Sequence, residues 1–99
     1  MPGQEKLFEN KIKKFLTEQD VWFVKFFANN FTRSGIPDIL ACVNGRFVAI
    51  EVKSDKGKPS VLQLRQVELI KKSNGIALIL YPKDFEQFKN LITELKGVK

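Results

Sequence analysis

The sequence contains no histidine and a single cysteine, Cys42, among its 99 residues. One cysteine excludes an internal disulfide framework, and without histidine it also excludes a zinc site built within one chain. The same absences exclude the Ser-His-Asp and Cys-His pairs that activate nucleophiles. If the protein is an enzyme, its chemistry therefore rests on carboxylates, lysines and metal ions that prefer oxygen ligands.

Long hydrophobic runs are absent as well. Residues 76–81 form a representative apolar run of six residues, whereas crossing a membrane takes roughly 20. The first residues, Met-Pro-Gly-Gln-Glu, do not resemble a signal peptide. We therefore expect a soluble intracellular protein, from a prokaryote or a virus-infected host cell, with no membrane partner. The length and the 43% apolar content predict a single domain over residues 1–99.

Acidic residues are few relative to basic ones. The chain has 17 Lys and Arg against 11 Asp and Glu, which gives a formal net charge of +6. This balance favours a polyanionic partner, of which nucleic acid is the commonest. A lysine-rich surface that is merely solvated remains the alternative.

Hydrophobic periodicity and turn signals predict an α/β fold of the mixed α+β kind, with a central sheet flanked by helices in the order α-β-β-β-α-β-α. Ser60 is the expected cap of the second helix, and Gly75 is the expected left-handed residue at its end. The predicted segments are helix 5–19, strands 21–27, 38–43 and 46–53, helix 60–74, strand 76–81 and a last helix with Phe85, Phe88, Leu91, Ile92 and Leu95 inward.

The dipeptide Asn44-Gly45 predicts a two-residue hairpin between the second and third strands. If Val43 pairs with Arg46, Asp38 faces Glu51, with Cβ atoms roughly 4.5–5.5 Å apart. Two like charges at this distance repel each other. A hard divalent cation such as Mg²⁺ removes the conflict, because it prefers carboxylate oxygens.

Lys53 lies two residues after Glu51, so strand alternation puts both on one face with Asp38. Ile50 and Val52 point the other way, toward the core. An acid pair that holds a metal, next to a lysine that orients water or offsets charge on phosphorus, is a catalytic constellation. A solvated charged strand, with Lys53 bridging an acid, is the alternative.

These residues carry a resemblance to a known superfamily. Pro37-Asp38, followed after twelve residues by Glu51-Val52-Lys53, resembles the defining motif of the PD-(D/E)XK nucleases. The pattern is most similar to the virus-type replication-repair nuclease (VRR-NUC) domain and to archaeal Holliday junction resolvases. The segments 34–40 and 49–53 resemble the two motif strands of those families.

Two further positions match these families. They carry a glutamate on the first helix, and Glu9, twelve residues before Val21, matches it, with Glu5 as its rival. They also carry a glutamine at the start of the second helix, about a dozen residues before a glycine, and Gln63 matches it. A capping box between Ser60 and Gln63 explains this glutamine without catalysis, and both explanations can hold together.

The resemblance implies a restriction-endonuclease-like core and a Mg²⁺- or Mn²⁺-dependent endodeoxyribonuclease with no small-molecule cofactor. It assigns the metal to Glu9, Asp38, Glu51 and the backbone carbonyl of Val52. It assigns catalysis to the same three acids with Lys53 and Gln63. Water activated by the metal and Lys53 would attack the scissile phosphate and leave a 5′-phosphate and a 3′-hydroxyl.

Candidate DNA contacts lie in the loops beside the motif strands. They are Arg33 and Ser34 before Pro37-Asp38, and Lys56 and Lys58 after Lys53, with flexible surface charge as the alternative reading. The sequence contains no base-reading module, so we expect shape-selective cutting of branched DNA.

Two symmetric nicks in a four-way junction suggest a homodimer. The aromatic density of residues 21–27 and of Phe31 exceeds what a small core needs, and Trp22 is the first candidate for the dimer interface. A flap-type or non-selective nuclease, a non-cleaving nucleic-acid-binding module and a structural partner protein remain alternatives.

Overall fold

The computed structural model describes residues 3–97, so residues 1–2 and 98–99 of the predicted domain lie outside the described part. The chain forms one four-stranded mixed sheet and three α-helices, in the predicted order. This is the mixed α+β architecture of a restriction-endonuclease-like core. The elements are α1 (Gln4–Glu18), β1 (Trp22–Lys25), β2 (Ile39–Val43), β3 (Arg46–Val52), α2 (Val61–Lys72), β4 (Ile76–Leu80), a 3₁₀ turn (Pro82–Asp84) and α3 (Phe85–Leu95).

The sheet runs in the order β1-β2-β3-β4, with antiparallel pairing among the first three strands and parallel pairing between β3 and β4. Asn44 and Gly45 both have positive φ angles, 51° and 82°, as a tight turn that matches strand twist requires. Val43 pairs with Arg46, as predicted, and the register continues to the pair Ile39 and Ile50. One further step along this register puts Asp38 opposite Glu51.

The core lies between the sheet and the two helices α1 and α3. Ile12 and Leu16 of α1 and Ile92 of α3 are fully buried against it. Ile50 and Val52 point into this core, as predicted, and every residue from 48 to 53 is buried. The charged end of β3 is therefore enclosed by protein. No helix within residues 3–97 combines the length and the apolar character needed to cross a membrane.

The end of α2 differs from the prediction. The helix stops at Lys72, two residues early, so Asn74 takes the left-handed conformation, with φ of 68°. The assignment of that role to Gly75 was wrong. Gly75 instead provides space, because a Cβ there would lie 2.8 Å from Ile70 Cγ2 and 3.2 Å from Phe47 Cδ2. This close approach packs the start of β4 between α2 and the β2–β3 hairpin.

The strands near the acidic residues are shorter than predicted. β1 ends at Lys25 instead of residue 27, although the Phe26 amide still donates to the Asp38 carbonyl (2.8 Å). β2 begins one residue after Asp38. The backbone amide of Val52 donates to Asp38 Oδ2 at 2.8 Å. At this end of the sheet a side chain therefore accepts the hydrogen bond of the last β3 amide.

Candidate active site

Asp38 reaches the end of β3 because the loop before it packs against the start of α2. Gly35 has a φ of 81°, and a Cβ at this position would lie 2.5 Å from the Leu62 carbonyl oxygen. Only glycine allows both the conformation and the contact. Pro37 is fully buried directly before Asp38. The packing of the Gly-x-Pro-Asp segment thus fixes the position of Asp38 beside the end of β3.

The Asp38 carboxylate is held by two donors. Oδ2 accepts from the Val52 amide at 2.8 Å, and Oδ1 lies 3.4 Å from Lys25 Nζ. A hydrogen bond from a backbone amide orients a carboxylate without supplying a full charge. Asp38 is therefore fixed in position and remains only half-buried.

Glu51 is almost fully buried, with 3% of its surface exposed. Its Oε2 accepts from Gln63 Nε2 at 2.8 Å and lies 3.2 Å from Lys53 Nζ. Its Oε1 is buried and has no hydrogen-bond partner. Burial, and next the charge of Asp38, raise the pKa of Glu51 to about 7, with Lys53 opposing the rise. A buried carboxylate oxygen without a donor is an acceptor that can take a further partner.

The Gln63 side chain caps α2, as predicted, and it also contacts Lys53 and Glu51. Its Oε1 accepts from the Ser60 amide at 2.9 Å, and the Ser60 hydroxyl accepts from the Gln63 amide at 3.1 Å, which is a complete capping box. The same side chain accepts from Lys53 Nζ at 3.0 Å and donates to Glu51. The cap of α2 and the acidic end of β3 therefore share one amide group.

Glu9 is also buried, with 4% of its surface exposed, whereas Glu5 is exposed. Its carboxylate lies 2.9 Å from Lys25 Nζ and 3.2 Å from the Nζ atoms of Lys6 and Lys13. Burial alone would raise the pKa of Glu9, but the hydrogen bonds from the three lysines outweigh it and lower the pKa to about 2. Of the two helix acids, Glu9 is the one linked to Asp38, through Lys25.

Lys25 is a site residue that the sequence reasoning missed. Its Nζ bridges Glu9 and Asp38, and these partners outweigh the effect of burial and raise the pKa of Lys25. The available signal was a single lysine in the otherwise apolar segment 21–27, in phase with Phe23, which packs against the core. A charge on a core-facing position needs a partner.

The four predicted DNA contacts are distributed over two regions. Arg33 lines a cleft of about 650 Å³ between the β2–β3 hairpin and α2, with Arg46 and Phe47, at the end of β3 opposite Glu51. Ser34 lies nearby, and its carbonyl accepts from Gln66 Nε2 at 3.3 Å. The structure therefore does not bring Arg33 and Ser34 together with the acidic residues.

Lys56 and Lys58 are exposed on the loop that follows Lys53. The Tyr81 hydroxyl donates to the Gly57 carbonyl at 2.9 Å, and the Asp55 amide donates to Gln4 Oε1 at 2.7 Å. With the hydrogen bond from Gln4 Nε2 to Asp55 Oδ2 at 2.8 Å, three hydrogen bonds tie this basic loop to Tyr81, directly after β4, and to the start of α1.

The chain matches the family model of the archaeal Holliday junction resolvases (hjc) over residues 3–91. This range covers most of the chain and includes every predicted site residue. The chain belongs to this resolvase family. Membership implies a nuclease that acts on branched DNA in recombination and repair, and it fits the PD-(D/E)XK superfamily. It does not specifically support the VRR-NUC domain, which stays a resemblance. No match was found among the curated proteins.

Resolvases of this family generally use a divalent metal. Within residues 3–97, no group of three or more His, Cys, Asp or Glu side chains is arranged to hold one. Glu9 is engaged by Lys25. The remaining pair nevertheless fits a hard cation. Asp38 and Glu51 are oxygen donors at the same end of the sheet, and Glu51 Oε1 lacks any donor.

Proposed function

We propose that this resolvase-family chain is a metal-dependent, structure-selective endonuclease that cuts four-way DNA junctions as a homodimer. The observation that carries the proposal is the buried Glu51 carboxylate, which has one oxygen without a partner beside Asp38 and Lys53. A fold under selection for stability alone would not leave a buried acid short of positive charge. Family membership supports the choice of branched DNA as substrate.

In this proposal, Asp38 and Glu51 would hold a Mg²⁺ or Mn²⁺ ion together with the Val52 carbonyl. Glu9 would become a further ligand only by exchanging its contacts with the lysines for the ion. When bound, such an ion polarises a phosphate and lowers the pKa of a coordinated water. Gln63 keeps Glu51 in place through its 2.8 Å hydrogen bond. Lys53, held between Glu51 and Gln63, orients the attacking water and offsets the charge that develops on the phosphate. Lys56 and Lys58 contact phosphates beside the cut.

The test is cleavage of a synthetic four-way junction, a flap, a fork and a linear duplex of shared sequence, with Mg²⁺ or Mn²⁺. We expect preferential cutting of the junction, and at least a ~100-fold loss of rate in Lys53→Ala because charge stabilisation at the phosphate is removed. Lys89→Ala is the matched control, since Lys89 also pairs with a glutamate, on α3. Equal cutting of all substrates would indicate a non-selective or flap nuclease, and binding without product in either metal would indicate a non-cleaving module.

The proposed dimer uses the exposed part of the sheet face on the α2 side, beyond the area of β3 and β4 that α2 covers. Trp22 pairs with Cys42 and Cys42 with Phe47, so the three side chains form one exposed row across β1, β2 and β3. Trp22 is 64% exposed, and Val24 continues the apolar surface. We call these four residues the open sheet face. Contiguous exposed apolar side chains of this kind are typical of an interface between proteins.

Trp22→Glu tests the dimer directly, because a charge at the most exposed large apolar residue of the open sheet face opposes association of two apolar surfaces. We expect wild type to sediment as a dimer and the variant as a monomer with unchanged far-UV circular dichroism. Leu64→Glu, at an exposed leucine of α2, is the control and should remain dimeric. A monomeric wild type that cuts junctions at both symmetric positions would rule out the dimer.

A further inference from the structure

Two phenylalanines are exposed on the loop between β1 and β2, which we call the aromatic loop (residues 26–36). Phe31 is 96% exposed and Phe27 is 74% exposed. A buried phenylalanine would contribute about 2 kcal/mol or more of hydrophobic free energy, and both side chains forgo it here. Neither ring contributes to the core, so core packing gives no reason for an aromatic side chain at either position.

The backbone holds Phe31 in place without using its side chain. Asn29 Oδ1 accepts from the Phe31 amide at 2.7 Å, and the Asn29 amide donates to the Thr32 hydroxyl at 2.9 Å. The Thr32 amide in turn donates to the Asn29 carbonyl at 3.2 Å. A turn closed by its own side chains in this way fixes the backbone of the residue at its tip. The Phe31 ring is thus carried on a hydrogen-bonded turn.

Phe27 connects the aromatic loop to the acidic end of the sheet. Lys25 Nζ lies 5.8 Å from the centroid of the Phe27 ring, and the same atom lies 3.4 Å from Asp38 Oδ1. The ring and the Asp38 carboxylate are therefore neighbours of a single ammonium group. A molecule that places a phosphate at Asp38 and Glu51 would pass beside Phe27.

We propose that Phe27 and Phe31 form a stacking platform for unpaired bases at the branch point of the DNA substrate. This platform rests on the proposed nuclease function, and it would be the feature by which the protein distinguishes branched DNA from duplex DNA. Bases in a continuous duplex are stacked on each other, whereas bases at a branch point can turn outward and stack on an aromatic ring.

The surroundings of the two rings favour nucleic acid over a second copy of the chain. The loop segment around Phe31 is polar and carries Arg33, in a chain of net charge +6, which complements a phosphate backbone. Lys25 and Phe27 contact each other, so they share one side of the sheet, and strand alternation puts Trp22 and Val24 on the other. The aromatic loop is thus separate from the open sheet face.

Phe31→Ala tests the platform, with binding measured in EDTA to a four-way junction that carries 2-aminopurine at the crossover. A linear duplex carrying the same base is the comparison. We expect Phe31→Ala to weaken junction binding about tenfold, as loss of one stacked base does, and to abolish the fluorescence change. Affinity for the linear duplex should not change. Phe31→Tyr should restore both readouts, and Leu64→Ala, which removes another exposed apolar side chain, should leave them unchanged.

Three outcomes overturn the inference. If wild type binds and cuts the junction while Phe31→Ala binds it equally well, the platform is absent and the nuclease function stands. If Phe31→Ala dissociates a wild-type dimer, the ring is a contact between subunits. If wild type neither binds nor cuts the junction, the proposed function fails and the platform fails with it. Because Phe31 is exposed and its side chain makes no turn contact, the variant should fold normally.

Discussion

The two buried glutamates of this protein lie in opposite electrostatic surroundings, a short distance apart on either side of Asp38. Glu9 is surrounded by three lysines, and its pKa falls to about 2. Glu51 has one lysine, one amide and two acids near it, Asp38 and Glu5, and its pKa rises to about 7. Burial raises the pKa of both carboxylates, and only at Glu9 do the neighbours reverse this effect. Glu9 is already neutralised by protein, whereas Glu51 is short of positive charge.

The largest effect on stability is expected when the ion pairs of Lys25 with Glu9 and Asp38 are removed. Lys25→Met removes the cation that bridges Glu9 and Asp38, which leaves a buried carboxylate with weaker partners. We expect the free energy of unfolding at pH 7 to fall by about 3 kcal/mol, measured by urea denaturation. Lys13→Met is the matched control, because Lys13 contacts the same carboxylate but is more exposed, and it should cost less than about 1 kcal/mol. Equal losses of stability in the two variants would show that the Lys25 bridge between Glu9 and Asp38 contributes no more than the Lys13 contact with Glu9.

A smaller effect on stability, of opposite sign, is expected at Glu51, which is short of positive charge. Because the folded-state pKa of Glu51 is raised from 4.5 to about 7, its contribution to stability is complete below pH 4.5 and is lost as the pH rises through 7. Without divalent metal, the melting temperature of wild type should therefore fall between pH 5 and pH 8. Glu51→Gln should flatten this dependence and melt at least ~5 °C higher than wild type at pH 8.

The control for that comparison is Glu86→Gln, at an exposed acid of α3, which should leave the pH dependence as it is in wild type. Glu9 acts in a different pH window. Its lowered pKa stabilises the fold above pH 4.5, and this contribution is lost as the pH falls toward 2. A wild-type melting temperature that rises from pH 5 to pH 8 would contradict the assignment for Glu51.

The register of the β2–β3 hairpin could be predicted because it is a local property. Asn44-Gly45 dictates the turn, the turn dictates which residues pair, and the pairing carries Asp38 toward Glu51. The capping box of α2 was predictable for the same reason, since Ser60 and Gln63 are three residues apart. In both cases a few neighbouring residues determine the geometry.

Other features depend on residues distant in sequence and could not be predicted. Lys25 joins the site only because α1 packs across β1 and brings Glu9 to it, 16 residues away in the chain. The pKa of Glu51 depends on burial by α2 and the loops around it. The exposure of Phe31 contradicts the usual burial of aromatic residues, and only the path of the loop reveals it.

The shared amide of Gln63 also has a dynamic consequence. Because one side chain both caps α2 and holds Glu51 and Lys53, the first turn of the helix cannot fray while the arrangement around Glu51 stays intact. Fraying and loss of that arrangement are a single opening event with one free energy. The rate at which the backbone amide of Gln63 exchanges its proton with solvent therefore reports how often the arrangement around Glu51 opens. A change that holds the Glu51 side chain more firmly should slow this exchange, although the backbone amide itself donates to the Ser60 hydroxyl.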